Sequence, residues 1–170
     1  MVNTICNNNV HVNSAPDDSP LQIFFCSEAF SPFQLFCTER ARKALQSMQA
    51  PAVFREVLHS RTEAPVGDLY FVEIQPELPP DAVDLRCARE VYPCPCCGKK
   101  TYCPPLLPLQ VDRSALLQQS ILCKTAEIFS YGGNLAFPIT LISHELYQTL
   151  KEGKLDRGLH FRPVILFWGT

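Results

Sequence analysis

The chain has 170 residues, enough for one domain that buries about 70% of the surface its unfolded form exposes, so no staple is needed to build a core. Hydrophobic residues make up 46% and charged residues 19%, which excludes the composition of a disordered chain. Fifteen Lys and Arg against seventeen Asp and Glu leave a net charge of −2, which argues against a generic binder of nucleic acid or anionic membrane, and no apolar run reaches the ~20 residues of a membrane span. In chain order, residues 1–20 read as a polar, flexible arm. Asn3, Asn7, Asn8, Asn9 and Asn13 precede the turn formers Ser14-Ala15-Pro16-Asp17-Asp18-Ser19-Pro20, and no basic-then-apolar leader opens the sequence. Order is expected from residue 21, with β-rich runs at 21–26 and 33–37. Thr38 then caps a helix with Glu39 in its first turn and Ala41, Ala44, Leu45 and Met48 on one face. Pro51 is expected to stop that helix, and strands follow at 53–58 and 68–74.

Between residues 76 and 108 fall eight of the fifteen prolines, so a loop-built excursion is predicted there rather than a long helix or a central strand. Asp112 caps a short helix through Leu117, and Ile128-Phe129-Ser130-Tyr131 leads into a Gly132-Gly133-Asn134 turn. Residues 137–142 form a strand, Ser143 caps a helix bearing Leu146, Tyr147 and Leu150, Gly153 stops it, and Phe161–Trp168 is a closing strand with Pro163 as an irregularity. Two passages match: an apolar strand, a hydroxyl cap, a glutamate, a helix, then Phe54-Arg55-Glu56-Val57 or Phe161-Arg162-Pro163-Val164. They read either as a duplicated strand–helix–strand unit or as generic capping chemistry used twice. The expected fold is α+β: a single domain over 21–170, with a mixed or antiparallel sheet, two similar strand–helix–strand units and the Pro/Cys-rich excursion at 76–108.

Nine cysteines are too many for complete intrachain pairing, being odd in number, and fit a reducing cytoplasm. Cys94-Pro95-Cys96-Cys97-Gly98 is a Cys-x-x-Cys-Gly knuckle, half of a tetrahedral zinc site, with Cys87 and Cys103 in reach to complete it. Three readings stay open: a structural zinc on Cys87, Cys94, Cys97 and Cys103, a metal-free remnant of small buried hydrophobes, and a redox dithiol. Catalytic constellations are thin. No nucleophile elbow, P-loop, His-Glu-x-x-His or dinucleotide fingerprint occurs, and His11, His59, His144 and His160 sit where histidines cap or face solvent, so no enzyme activity is expected. Cys37 and Cys123 have no activating neighbour in sequence. Residues 63–90 hold seven acids against Arg86 and Arg89, either a solvated face or a patch complementary to a basic partner.

The order of Phe-Arg-x-Val strand, acidic strand and loop, Cys94-x-x-Cys97-Gly98, short helix, Ile128-Phe129-Ser130, Leu141-Ile142-Ser143-His144-Glu145-Leu146 and Phe161-Arg162-Pro163-Val164 resembles the double-CxxCG motif immunity proteins of bacterial polymorphic toxin systems. The resemblance spans roughly residues 66–167. It departs from the pattern in carrying one Cys-x-x-Cys-Gly, with Cys94 and Cys97 on the second motif. It implies a cytoplasmic, non-catalytic protein that binds and neutralises a cognate toxin, with no nucleic-acid or membrane partner. Glu73, Glu77, Asp81 and Asp84 are the expected partner-binding residues. The alternative is a zinc-ribbon-like nucleic-acid-binding or regulatory module using Lys99 and Lys100 beside the knuckle.

Overall fold

The computed structural model describes residues 23–28, 35–59, 61–86, 88–90, 93, 98, 100–103, 108–117, 121–130, 136–156 and 159–168. The polar arm, the Gly132-Gly133-Asn134 turn and Cys87, Cys94 and Cys97 lie outside them. The fold is α+β. A six-stranded sheet runs in the order β10 (Leu159–Pro163), β1 (Ile23–Glu28), β9 (Phe137–Ser143), β8 (Leu122–Phe129), β6 (Thr101–Cys103), β5 (Arg89–Glu90). It is antiparallel except where β6 runs parallel to β8. A three-stranded antiparallel sheet has the order β2 (Leu35–Thr38), β4 (Pro65–Ile74), β3 (Ala52–Leu58). β11 (Ile165–Phe167) pairs in parallel with β7 (Gln110–Asp112).

The two matching passages occupy matching places. β2 and β3, joined by α1 (Glu39–Ser47), both pair antiparallel with β4, so they run parallel to each other with one strand between them. β9 and β10, joined by α3 (His144–Glu152), flank β1 in the same way. Each helix is nine residues long and begins the same way: Thr38 Oγ1 accepts from the Ala41 amide at 3.4 Å, and Ser143 Oγ from the Leu146 amide at 3.1 Å.

They also end alike. In α1 the Ala50 amide donates to the Leu45 carbonyl and the Gln49 amide to that of Gln46, both at 2.9 Å. In α3 the Leu155 and Lys154 amides bond the Leu150 and Lys151 carbonyls at 2.8 and 3.0 Å. This pair of bonds closes a helix through one left-handed residue. That residue is Gln49 (φ 56°) in one helix and Lys154 (φ 52°) in the other. α1 therefore stops before Pro51 is reached. Gly153 ends α3 as expected, but for another reason: its own φ is −71°, and a Cβ there would stand 3.0 Å from the Thr149 carbonyl oxygen and 3.1 Å from Leu155 Cδ1. The costly left-handed position falls on the lysine. Lys154→Gly should raise the unfolding free energy by about 1 kcal/mol, read by urea denaturation, because glycine alone carries no Cβ penalty at that φ.

α1 and α3 pack on each other between the two larger sheets. Their buried Leu45, Leu146 and Leu150 meet Ile74, Leu122, Ile142 and Phe161 in one core. The opposite face of the six-stranded sheet holds the second core, where Cys123, Phe129, Ile139 and Leu141 pack under Val111, Leu116 of α2 (Arg113–Leu117) and Leu78, Ala82 and Val83. Two expectations need correction here. The proline-rich stretch is more than a loop. It supplies β5 and β6 to the large sheet, and Leu78, Ala82 and Val83 are at most 4% exposed, because prolines tolerate short edge pairings and isolated bridges. Residues 161–168 are not one strand: Pro163 ends β10, and after Val164 the chain moves to a different sheet as β11. The central strand β8 was not foreseen at all.

Candidate functional site

Three features of the surface and interior bear on function. The first is an acidic stripe. On leaving β4 the chain runs alongside the start of β8: Lys124 N–H donates to the Pro76 carbonyl at 3.0 Å, and Leu78 N–H to the Lys124 carbonyl at 2.8 Å. That pairing sets Glu77 3.6 Å from Lys124 Nζ. Next comes a left-handed turn at Asp81 (φ 67°), a conformation that aspartate tolerates better than most residues and that aims its amide at Glu127 Oε1, 2.8 Å away. Glu77 thus faces Lys124, whose charge also reaches Glu73, while Asp81 and Glu127 meet one turn further on. Burial, reinforced by the Asp81 and Glu77 charges, pushes the Glu127 carboxyl above its usual range.

The structure distributes the four predicted partner-binding acids unevenly. Glu73 is held below the usual carboxylate range by hydrogen bonds from Arg55, whose Nη2 lies 2.7 Å away. Asp84 is likewise lowered by Arg86, at 2.6 Å, and its side chain is 9% exposed. Its charge is turned inward on a local turn. Glu77 and Asp81 are exposed and, with Glu127, make the acid-rich end. Glu127 escaped the sequence reading because it lies 46 positions from Asp81 and outside the acidic run.

The second feature is a cavity of about 360 Å³ between the two strand–helix–strand units. Val72 and Leu45 wall it on one side, Leu146, Leu150 and Phe161 on the other. Thr38, Arg40 and Lys154 bring polar groups to it, and Arg40 Nη2 donates to the Gly153 carbonyl at 2.9 Å. Cys37 also lines it. Next to this wall, Arg42 grips Glu39 with Nε and Nη2 at 2.6 and 2.8 Å while lying 4.6 Å from the Tyr70 ring centroid. The bond from Arg42, with Tyr70 as a further donor, holds Glu39 down at about 2, so it is ionised at any physiological pH.

The third feature is Trp168, 66% exposed, with the Arg113 guanidinium 4.9 Å from its ring and Ile165, 48% exposed, nearby in sequence. Exposed tryptophan beside arginine is the composition of an interface hot spot.

Of the proposed zinc ligands, Cys103 alone is described. It is half-buried in β6 opposite Arg89. Among the described residues no three of His, Cys, Asp and Glu converge as a metal site, and Cys87, Cys94 and Cys97 are not among them. Burial pushes the Cys123 thiol up to about 11, leaving it protonated and unreactive near neutral pH. His59 is exposed and accepts from the Arg61 amide, and His144 opens α3 with Gln148 2.7 Å away. Among the described residues no helix is long and apolar enough to cross a membrane. Comparison with known protein families, curated proteins and solved structures finds no match to this chain.

Proposed function

We propose that the chain is a non-catalytic binding protein of the cytoplasm that neutralises a cognate protein toxin, with the acidic stripe as the toxin-facing surface. One observation carries the reading: Glu73, Glu77, Asp81 and Glu127 come from two separate parts of the chain onto one strip where, among the described residues, Arg55 pairs with Glu73 and Lys124 with Glu77, leaving Asp81 and Glu127 without a cation in an ion pair. Such a strip raises the encounter rate with a basic partner and rejects acidic ones. A raised carboxyl in that strip favours the same partner, because an arriving cation stabilises its ionised form. The exposed Trp168 and Arg113 pair supplies the aromatic and guanidinium anchors that dominate interface energetics.

The test starts from the neighbouring genes: a large gene immediately upstream whose C-terminal tip is toxin-like would supply the partner for co-expression. Wild type should protect cells. A variant carrying Glu77→Lys and Asp81→Asn should fold normally by circular dichroism and lose protection, asparagine being chosen because it accepts a positive φ. Its affinity should fall at least ~10-fold, mainly through slower and less salt-sensitive association. Wild-type binding should also tighten as pH rises through the range where Glu127 gives up its proton, since the complex holds fewer protons than the free chain. Undiminished protection by the double variant would remove the stripe from the interface, and no protection by wild type would remove the function.

A further inference from the structure

Ligand pockets begin near ~300 Å³. A partly open cleft of about 360 Å³ between the two helices therefore has the size of a ligand site. Its position is fixed by the fold. It lies where α1 and β4 of one unit face α3 and β10 of the other, on the side of β4 that carries Val72. Glu73, the next residue, points to the other side of that sheet.

Its chemistry is two-part. The deep wall is apolar, built from leucine, isoleucine, valine and phenylalanine side chains of both units. Beside the hydroxyls of Thr38 and Thr140, its charged groups are cationic: Arg40 from the first turn of α1 and Lys154 just past the end of α3. Arg40's hydrogen bond to the Gly153 carbonyl sets it beside Lys154, and among the described residues neither is in an ion pair. No carboxylate lines the cavity among the described residues, the nearest in sequence, Glu39, being committed to Arg42 and Lys43.

We infer that this cavity binds a small amphiphile, an apolar chain ending in a carboxylate, with the chain against the leucine wall and the carboxylate between Arg40 and Lys154. This goes beyond toxin neutralisation and does not depend on it. Guanidinium and ammonium together match a carboxylate in charge and in hydrogen-bond donors, and one Arg40 donor already spent on Gly153 fixes the orientation of the rest.

Isothermal titration calorimetry of the full chain with decanoic acid, below its micellar concentration, tests the site against decanol as the uncharged equivalent. Decanoate should bind with one-to-one stoichiometry, and decanol about tenfold more weakly, the difference expected for one charge-assisted hydrogen bond. Lys154→Gly should weaken decanoate by a similar factor of about ten while leaving decanol unchanged, even though its unfolding midpoint rises. A variant that folds better and binds worse separates the ligand role from a structural one. Ala41→Leu, which adds bulk to the α1 wall, should weaken both probes together. The inference is overturned if decanoate fails to bind wild type, if decanol binds equally well, or if Lys154→Gly leaves decanoate affinity unaltered. Protection in the co-expression assay is a separate readout that none of these results predicts.

Discussion

Leu141→Ala should cost the fold about 2–5 kcal/mol, enough to remove a large part of a typical domain's 5–15 kcal/mol. Leu141 is 1% exposed on β9, directly opposite Cys123 on β8, in the core roofed by Val111, Leu116 and the segment holding Leu78, Ala82 and Val83. Neighbouring Ile142 faces the other way, into the core between the helices. The size of the Leu141 effect thus measures how firmly the proline-rich segment is packed onto the sheet. A segment that merely lay on the surface would close over the gap, and the loss would fall to the transfer term alone, about 2 kcal/mol, at the low end of that range. Urea denaturation followed by far-ultraviolet circular dichroism is the suitable measurement, because the one tryptophan, Trp168, is already 66% exposed and would report unfolding poorly.

The parts of this fold that could be read from sequence are those written in local chemistry. Thr38 and Ser143 announce their helices because a hydroxyl followed by glutamate in the first turn satisfies amides that nothing else can reach. Strands β3, β4 and β9 show as short β-rich runs bounded by turn formers. The helix ends were harder, since the left-handed residues are glutamine and lysine rather than glycine, and the bonds that force them there depend on the helix already being formed. The acidic stripe was half legible. Glu73, Glu77 and Asp81 stand in one acidic run, whereas Glu127 joins them only through the pairing of residues 76–78 with β8. The cavity left no trace in sequence, because its walls are ordinary core leucines of two units whose relative placement is set by tertiary packing.

β8 was missed because Lys124-Thr125-Ala126-Glu127 interrupts any apolar alternation in the middle of a central strand. The structure shows how that polarity is accommodated. Lys124 pairs with Thr140 and Ile128 with Pro138, so four steps along β8 match two along β9. This is a bulge, and it falls opposite a proline that has no amide to give the ladder. Thr125, 0% exposed, repairs it: its hydroxyl donates to the Glu127 carbonyl at 2.8 Å and accepts from the Ile139 amide at 2.9 Å. Thr125→Val keeps the shape and removes both bonds, leaving a buried amide and a carbonyl without that partner. It should therefore destabilise by about 1–3 kcal/mol, with Thr125→Ser, which retains the hydroxyl, losing much less. Hydrogen exchange distinguishes the cause. The Ile139 amide should lose protection in the valine variant beyond the global loss, while amides of β3 and β4 in the other sheet slow or quicken only with overall stability. Equal stability of the valine and serine variants would mean that β8 and β9 hold their register through side-chain packing alone, and that the hydroxyl is incidental to the bulge.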